Sequence, residues 1–265
     1  MLRPDPLPRR GPADVAIGGL RVAAILALLG VSTPVLLIST LAPRRADGTR
    51  GVHVVGQAIC RAFVWLCGVR GLPRDVPALD AHRGLVFFNH PSFLDPVVMM
   101  AVRPVRYLAA AGVRSIPFVG PMARAAGTLF VDRGDAGSRS AARDAVREAL
   151  DDPTPVALAP EGGIWKDEGV GPLRYGAFEV AAGADAEILL VALDYSDRRR
   201  VAWHDGEWLL APLWRVCARA RPVWAEVQTV GTLDAAAAAP EAVADQARRR
   251  LSAALGVPLP ESAPA

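Results

Sequence analysis

Between residues 84 and 194 of this 265-residue chain, short apolar runs recur with room for one helix between neighbours, and most of them end on polar residues. Strands are expected near 84–89, 105–109, 128–132, 155–159, 188–194 and 222–230. Helices are expected near 93–102, 115–126, 138–151 and 174–183, with a last one near 241–255. Period-two runs alternating with period-3.6 runs predict an α/β fold of layered sheet and helices. Proline- and arginine-rich residues 1–14 read as a disordered N-terminus, 15–70 as a helical membrane-associated motif, and 71–235 as the α/β body. Residues 236–265 carry a linker, the C-terminal helix and a loose tail.

The chain is 52% hydrophobic with a mean hydropathy of +0.25, on the apolar side of ordinary soluble domains. The excess is concentrated: residues 22–41 contain no charge. Twenty residues make roughly 30 Å of helix, the thickness of a hydrocarbon core. Gly30, Ser32, Thr33 and Pro34 fall inside this run, so a re-entrant hairpin is an alternative to a single crossing. A second apolar run, residues 52–69, has Arg61 as its one charge. The two runs together predict an N-terminal two-helix membrane motif. Arginines flank the first run on both sides, which favours both ends facing the cytoplasm.

The chemistry concentrates in Asn89-His90-Pro91-Ser92-Phe93-Leu94-Asp95-Pro96. The preceding apolar run reads as a buried strand, and Ser92 or Asp95 before Pro96 opens a helix. His90 therefore lies on a strand-to-helix turn, where pockets of α/β proteins open. A histidine near a carboxylate forms a general base with its orienting partner, suited to moving an acyl group onto a hydroxyl. Two further strand ends carry polar residues: Phe130 through Arg133, and Glu161-Gly162-Gly163, with Arg174-Tyr175-Gly176-Ala177-Phe178 downstream.

This ordered set resembles the lysophospholipid acyltransferase superfamily, which includes 1-acylglycerol-3-phosphate acyltransferases. Its first block matches Asn89, His90 and Asp95, and its second matches Phe130 to Arg133. The third block, often glutamate-glycine-threonine-arginine, reads Glu161-Gly162-Gly163-Ile164, so its arginine is missing. The fourth, residues 188–193, lacks the usual proline. The resemblance implies His90 and Asp95 as catalytic residues, with Phe130, Arg133, Glu161, Gly162, Gly163 and Arg174 on the acceptor side. It implies acyl-CoA or acyl carrier protein thioester as donor, a lysolipid acceptor, and a catalytic domain facing the cytoplasm. Thioester or lipid hydrolysis, and lipid binding without turnover, are the rival readings.

Other classes find little support. The formal charge is +3, Lys166 is the sole lysine, and no nucleic-acid motif is present, so anionic headgroups are the expected partner of the arginines. Cys60, Cys67 and Cys217 lack the spacing of a disulfide framework or zinc site, and His53, His82 and His204 form no ligand cluster. No metal or cofactor is expected.

Overall fold

The computed structural model describes residues 10–46, 48–132, 134–165, 169–204 and 206–259. The N-terminal apolar run forms one unbroken helix, α1 (Pro12–Ser39), so the hairpin considered above is not formed. Pro34 stays inside α1, whose packing against the body outweighs the one hydrogen bond the proline removes. The Thr33 hydroxyl also donates to the Leu29 carbonyl at 2.7 Å, tightening this turn. Gly18, Ile25, Ser32 and Leu36 are buried along one stripe, while Leu20, Val31 and Ile38 on the outer side are 74%, 68% and 68% exposed. α1 is the one helix among the described residues long and apolar enough to cross a membrane.

The second apolar run becomes α2 (Gly51–Leu66), 16 residues long with Val52, His53, Gly56, Ile59 and Val64 buried. It is too short for an unassisted crossing, and its polar side chains point into the body. Gln57 Nε2 donates to the Val102 carbonyl at 2.8 Å and Arg61 Nε to the Ala101 carbonyl at 2.7 Å. The two-helix arrangement is therefore one long apolar helix beside one packed, amphipathic helix.

The body then runs β1 (Val69–Arg70), α3 (Pro77–Ala81), β2 (Leu85–Phe88), α4 (Asp95–Val102), β3 (Arg106–Ala110), α5 (Val119–Ala125), β4 (Leu129–Val131) and α6 (Ala136–Ala149). It continues with β5 (Val156–Leu158), α7 (Tyr175–Gly183), β6 (Glu187–Tyr195), α8 (Arg198–Val201), α9 (Leu210–Cys217), β7 (Val223–Asp234) and α10 (Pro240–Ala254). Each strand and helix expected in the body is present within a few residues. The short β1, α3, α8 and α9 were not anticipated.

The strands form one sheet in the order β1-β7-β6-β2-β5-β3-β4. β2 pairs in parallel with β5 and β6, and β3 with β5 and β4; β6 and β7 are antiparallel. Every residue of central β2 is buried, as expected for a parallel strand covered on both faces. Its alternate side chains enter two cores. Val86 and Phe88 pack with Ile25, Val64, Met99 and Val216 under α1, α2, α4 and α9. Leu85 and Phe87 pack with Val146, Phe178, Ala247 and Leu251 under α6, α7 and α10. Phe87 meets Phe178 edge to face at 5.1 Å; burying rings of this size stabilises the fold by about 2 to 3 kcal/mol each. Because β2 through β6 share one direction, the segments after β2, β4 and β5 and the last residue of β6 all reach the same edge of the sheet, where α/β folds bind ligands.

Candidate active site

Six residues join β2 to α4, and their conformation is set by side-chain bonds to distant parts of the chain. Asn89 splices the turn onto β6: its Nδ2 donates to the Leu193 carbonyl at 2.9 Å and its Oδ1 accepts the Leu193 amide at 2.7 Å. Ser92 donates its hydroxyl to the Val201 carbonyl at 2.8 Å and accepts the Leu94 amide at 3.1 Å. His90 is held between these two anchors. Its amide donates to Glu161 Oε2 at 2.5 Å, and its carbonyl accepts the Trp165 amide at 2.8 Å.

The imidazole and Asp95 meet directly, with His90 Nδ1 2.7 Å from Asp95 Oδ2. The same oxygen accepts the Ser92 amide at 2.7 Å, and Asp95 Oδ1 accepts the Tyr195 hydroxyl at 2.6 Å. Asp95 is fully buried, whereas the His90 side chain keeps 17% of its surface exposed. Burial pushes the Asp95 carboxyl above its usual range, opposed by the bonds from His90, Tyr195 and Ser92. A carboxylate can only accept, so Nδ1 carries the imidazole hydrogen and Nε2 is left with a lone pair. This is the arrangement of a general base with its orienting acid.

Glu161, expected beside the acceptor, is 8% exposed and both of its oxygens are engaged by backbone amides, those of His90 and Gly171, the latter at 3.0 Å. Its role in the fold is to tie the turn after β2 to the loop after β5. Burial pushes its carboxyl up to about 7, against the lowering effect of the two amides. Gly171 is required there because a Cβ would lie 2.6 Å from the Trp165 ring that covers it.

The other expected residues among those described are dispersed along the carboxyl edge. Gly162, with φ of 82°, turns the chain after β5 and donates its amide to Ala159 at 3.1 Å, so that amide is already engaged. Gly163 faces open space. Arg174 caps α7 with its backbone and has an exposed side chain. Phe130 lies on β4, three strands from β2 or roughly 14 Å at ordinary strand spacing, and the Arg114 guanidinium sits 4.8 Å over its ring. Arg133 lies outside the described residues. Tyr195 and Arg114 were missed in the sequence, and Ser92, read there only as a helix-opening residue, also holds Asp95 through its amide. Tyr195 and Arg114 stand far along the chain from the groups they touch, so no local spacing marks them.

A mixed α/β sheet thus presents a carboxylate-held histidine, the arrangement of a general base, at the carboxyl ends of its parallel strands, where α/β folds place their sites. The Acyltransferase family model matches residues 69–194, a segment that holds His90, Ser92, Asp95 and Glu161 and ends just before Tyr195. The chain is 35% identical over 128 residues to the 1-acyl-sn-glycerol-3-phosphate acyltransferase of Neisseria gonorrhoeae, covering 48% of this chain and 50% of that protein. It is 28% identical over 160 residues to the lyso-ornithine lipid O-acyltransferase of Rhodobacter capsulatus, covering 60% and 56%. It thus spans about half the length of these curated relatives. The fold matches the crystal structure of the 1-acyl-sn-glycerophosphate acyltransferase PlsC from Thermotoga maritima with a TM-score of 0.61 at 14% identity, over 90% of this chain and 97% of that one.

Proposed function

We propose that the protein transfers a fatty acyl group from an acyl thioester, of coenzyme A or acyl carrier protein, to the hydroxyl of a lysophospholipid or related lysolipid. The observation that carries this reading is the 2.7 Å bond from His90 Nδ1 to the sealed Asp95 carboxylate, which leaves Nε2 as the base on the accessible side. His90 Nε2 takes the acceptor hydroxyl's proton as that oxygen attacks the thioester carbonyl. Asp95 balances the imidazolium that forms, and the imidazolium returns the proton to the leaving thiolate. General base catalysis of this kind supplies about 10² to 10⁴ in rate; alignment of the two substrates and backbone donors to the developing oxyanion supply the rest.

Arg133 and Arg174 are the acceptor-headgroup ligands in this reading, since a guanidinium can give two parallel hydrogen bonds to a phosphate or carboxylate. Ile164 stands where many superfamily members carry arginine. The similar proteins include one named for a phosphate-bearing acceptor and one named for an ornithine lipid, so the acceptor set to be assayed includes both headgroups. The protein works at a membrane in this account. α1 packs along the body, against α2, α5 and α9, and presents its outer apolar side to lipid, with the carboxyl edge of the sheet on the cytoplasmic side.

Purified protein is assayed with acyl-CoA and acyl carrier protein thioesters against 1-acylglycerol-3-phosphate and lyso-ornithine lipid. Acceptor-dependent formation of a diacyl product is the expected result. Free fatty acid released at the same rate with and without acceptor makes the protein a hydrolase and overturns the proposal.

A further inference from the structure

We propose that Tyr195 is a positioning residue that sets the basicity of His90 through Asp95, an inference that rests on the acyl-transfer reading above. Three donors converge on the fully buried Asp95 carboxylate, and two of them, His90 Nδ1 and the Ser92 amide, share Oδ2. The Tyr195 hydroxyl is the donor recorded on Oδ1, at 2.6 Å. Tyr195 is itself 4% exposed, and it is the last residue of β6, the strand whose Leu193 clamps Asn89 two positions earlier. One rigid strand thereby fixes both the start of the catalytic turn and the carboxylate at its end. The phenol cannot drift, so the carboxylate keeps the orientation that delivers Oδ2 to the imidazole.

An ionised carboxylate out of reach of water depends on such donors. Without the phenol, Oδ1 is left unsatisfied, and the His90–Asp95 pair binds a proton more readily. The titratable groups facing the pair are Tyr107 on β3 and Glu161 after β5, and Asp194 on β6 faces Tyr195 itself. Glu161 and Asp194 are linked to other partners, Glu161 to two backbone amides and Asp194 to Arg198 at 2.6 Å. Tyr107 donates its hydroxyl to the Pro96 carbonyl at 2.5 Å. Removing the Tyr195 hydroxyl leaves those three in place.

The test uses full-length protein carrying Tyr195→Phe. The expected result is a kcat about tenfold lower with both KM values unchanged, the size of one lost hydrogen bond to a charged group. The acidic limb of the kcat–pH profile moves to higher pH, which a packing defect alone does not produce. In the Asp95→Asn background, where no carboxylate remains for the phenol to orient, the substitution lowers kcat by far less than tenfold. An unmoved acidic limb, or full additivity with Asp95→Asn, overturns the proposal. Should Tyr195→Phe not fold, 3-fluorotyrosine at position 195, nearly isosteric and a stronger donor, shifts the same limb to lower pH, and an unmoved limb again overturns it. His90→Ala is measured alongside. Activity retained there sinks the acyl-transfer reading itself, whereas activity lost there with a wild-type Tyr195→Phe profile sinks only the role of Tyr195.

Discussion

Replacing Asp95 with asparagine removes one charge and leaves the shape of the site intact, so its effect can be worked from the contacts. The Ser92 amide is a fixed donor that shares Oδ2 with His90 Nδ1. The asparagine oxygen therefore takes that position, and its NH₂ group turns toward Tyr195, whose hydroxyl can rotate and accept. The imidazole keeps its orientation and tautomer. What is lost is the attraction between imidazolium and carboxylate. At a separation of roughly 4 Å and an effective dielectric near 20 that attraction is about 4 kcal/mol, and the neutral hydrogen bond that remains returns about 1 kcal/mol. A net loss of about 3 kcal/mol corresponds to a kcat reduced about 10²-fold. A flipped tautomer costs about 10⁴ in the comparable serine-protease case. Steady-state kinetics in detergent, with both substrates varied, measures the effect, and thermal unfolding checks that the fold is unharmed. A kcat within threefold of wild type, or a loss confined to KM, refutes the assignment of Asp95.

Three further outcomes are expected. Because burial holds the Glu161 carboxyl at about 7, above its ordinary 4.5, the folded protein keeps a proton that the unfolded chain releases. Stability conferred by this residue is present below pH 4.5 and falls as pH rises toward 7, by about 3 kcal/mol in all; in Glu161→Gln the dependence of Tm on pH across that window is flatter, and an unchanged slope rejects the account. Arg133→Ala raises the acceptor KM about tenfold and the thioester KM far less, and equal changes in both dismiss its headgroup role. Leu20→Ser and Ile38→Ser, on the outer side of α1, each weaken binding to anionic vesicles about tenfold with Tm unchanged; undiminished co-sedimentation removes that side from the membrane contact.

The strand-turn-helix around His90 was legible because its signals are local: a run of four apolar residues, then polar residues, then Pro96 at the first turn of α4. The same holds for β3 through β7, whose length and flanking turns identify them, but not for the two-residue β1. A break at Pro34 was one of two alternatives on propensity, and packing along the whole helix outweighs the one lost hydrogen bond. Glu161 was visible as a motif residue, but its partners are 71 and 10 residues away in sequence, so its work as a strut emerges only once β5 lies beside β2. Tyr195 is 100 residues from Asp95 and becomes a neighbour through the pairing of β6 with β2, which no periodicity within either strand encodes.

The most direct measurement of the central claim is single-turnover acyl transfer from acyl-CoA to the preferred lysolipid by His90→Ala, in protein shown by circular dichroism to be folded. The base assigned to Nε2 predicts a chemical step slower by about 10² to 10⁴ with the acceptor still bound. Transfer at the wild-type rate contradicts it.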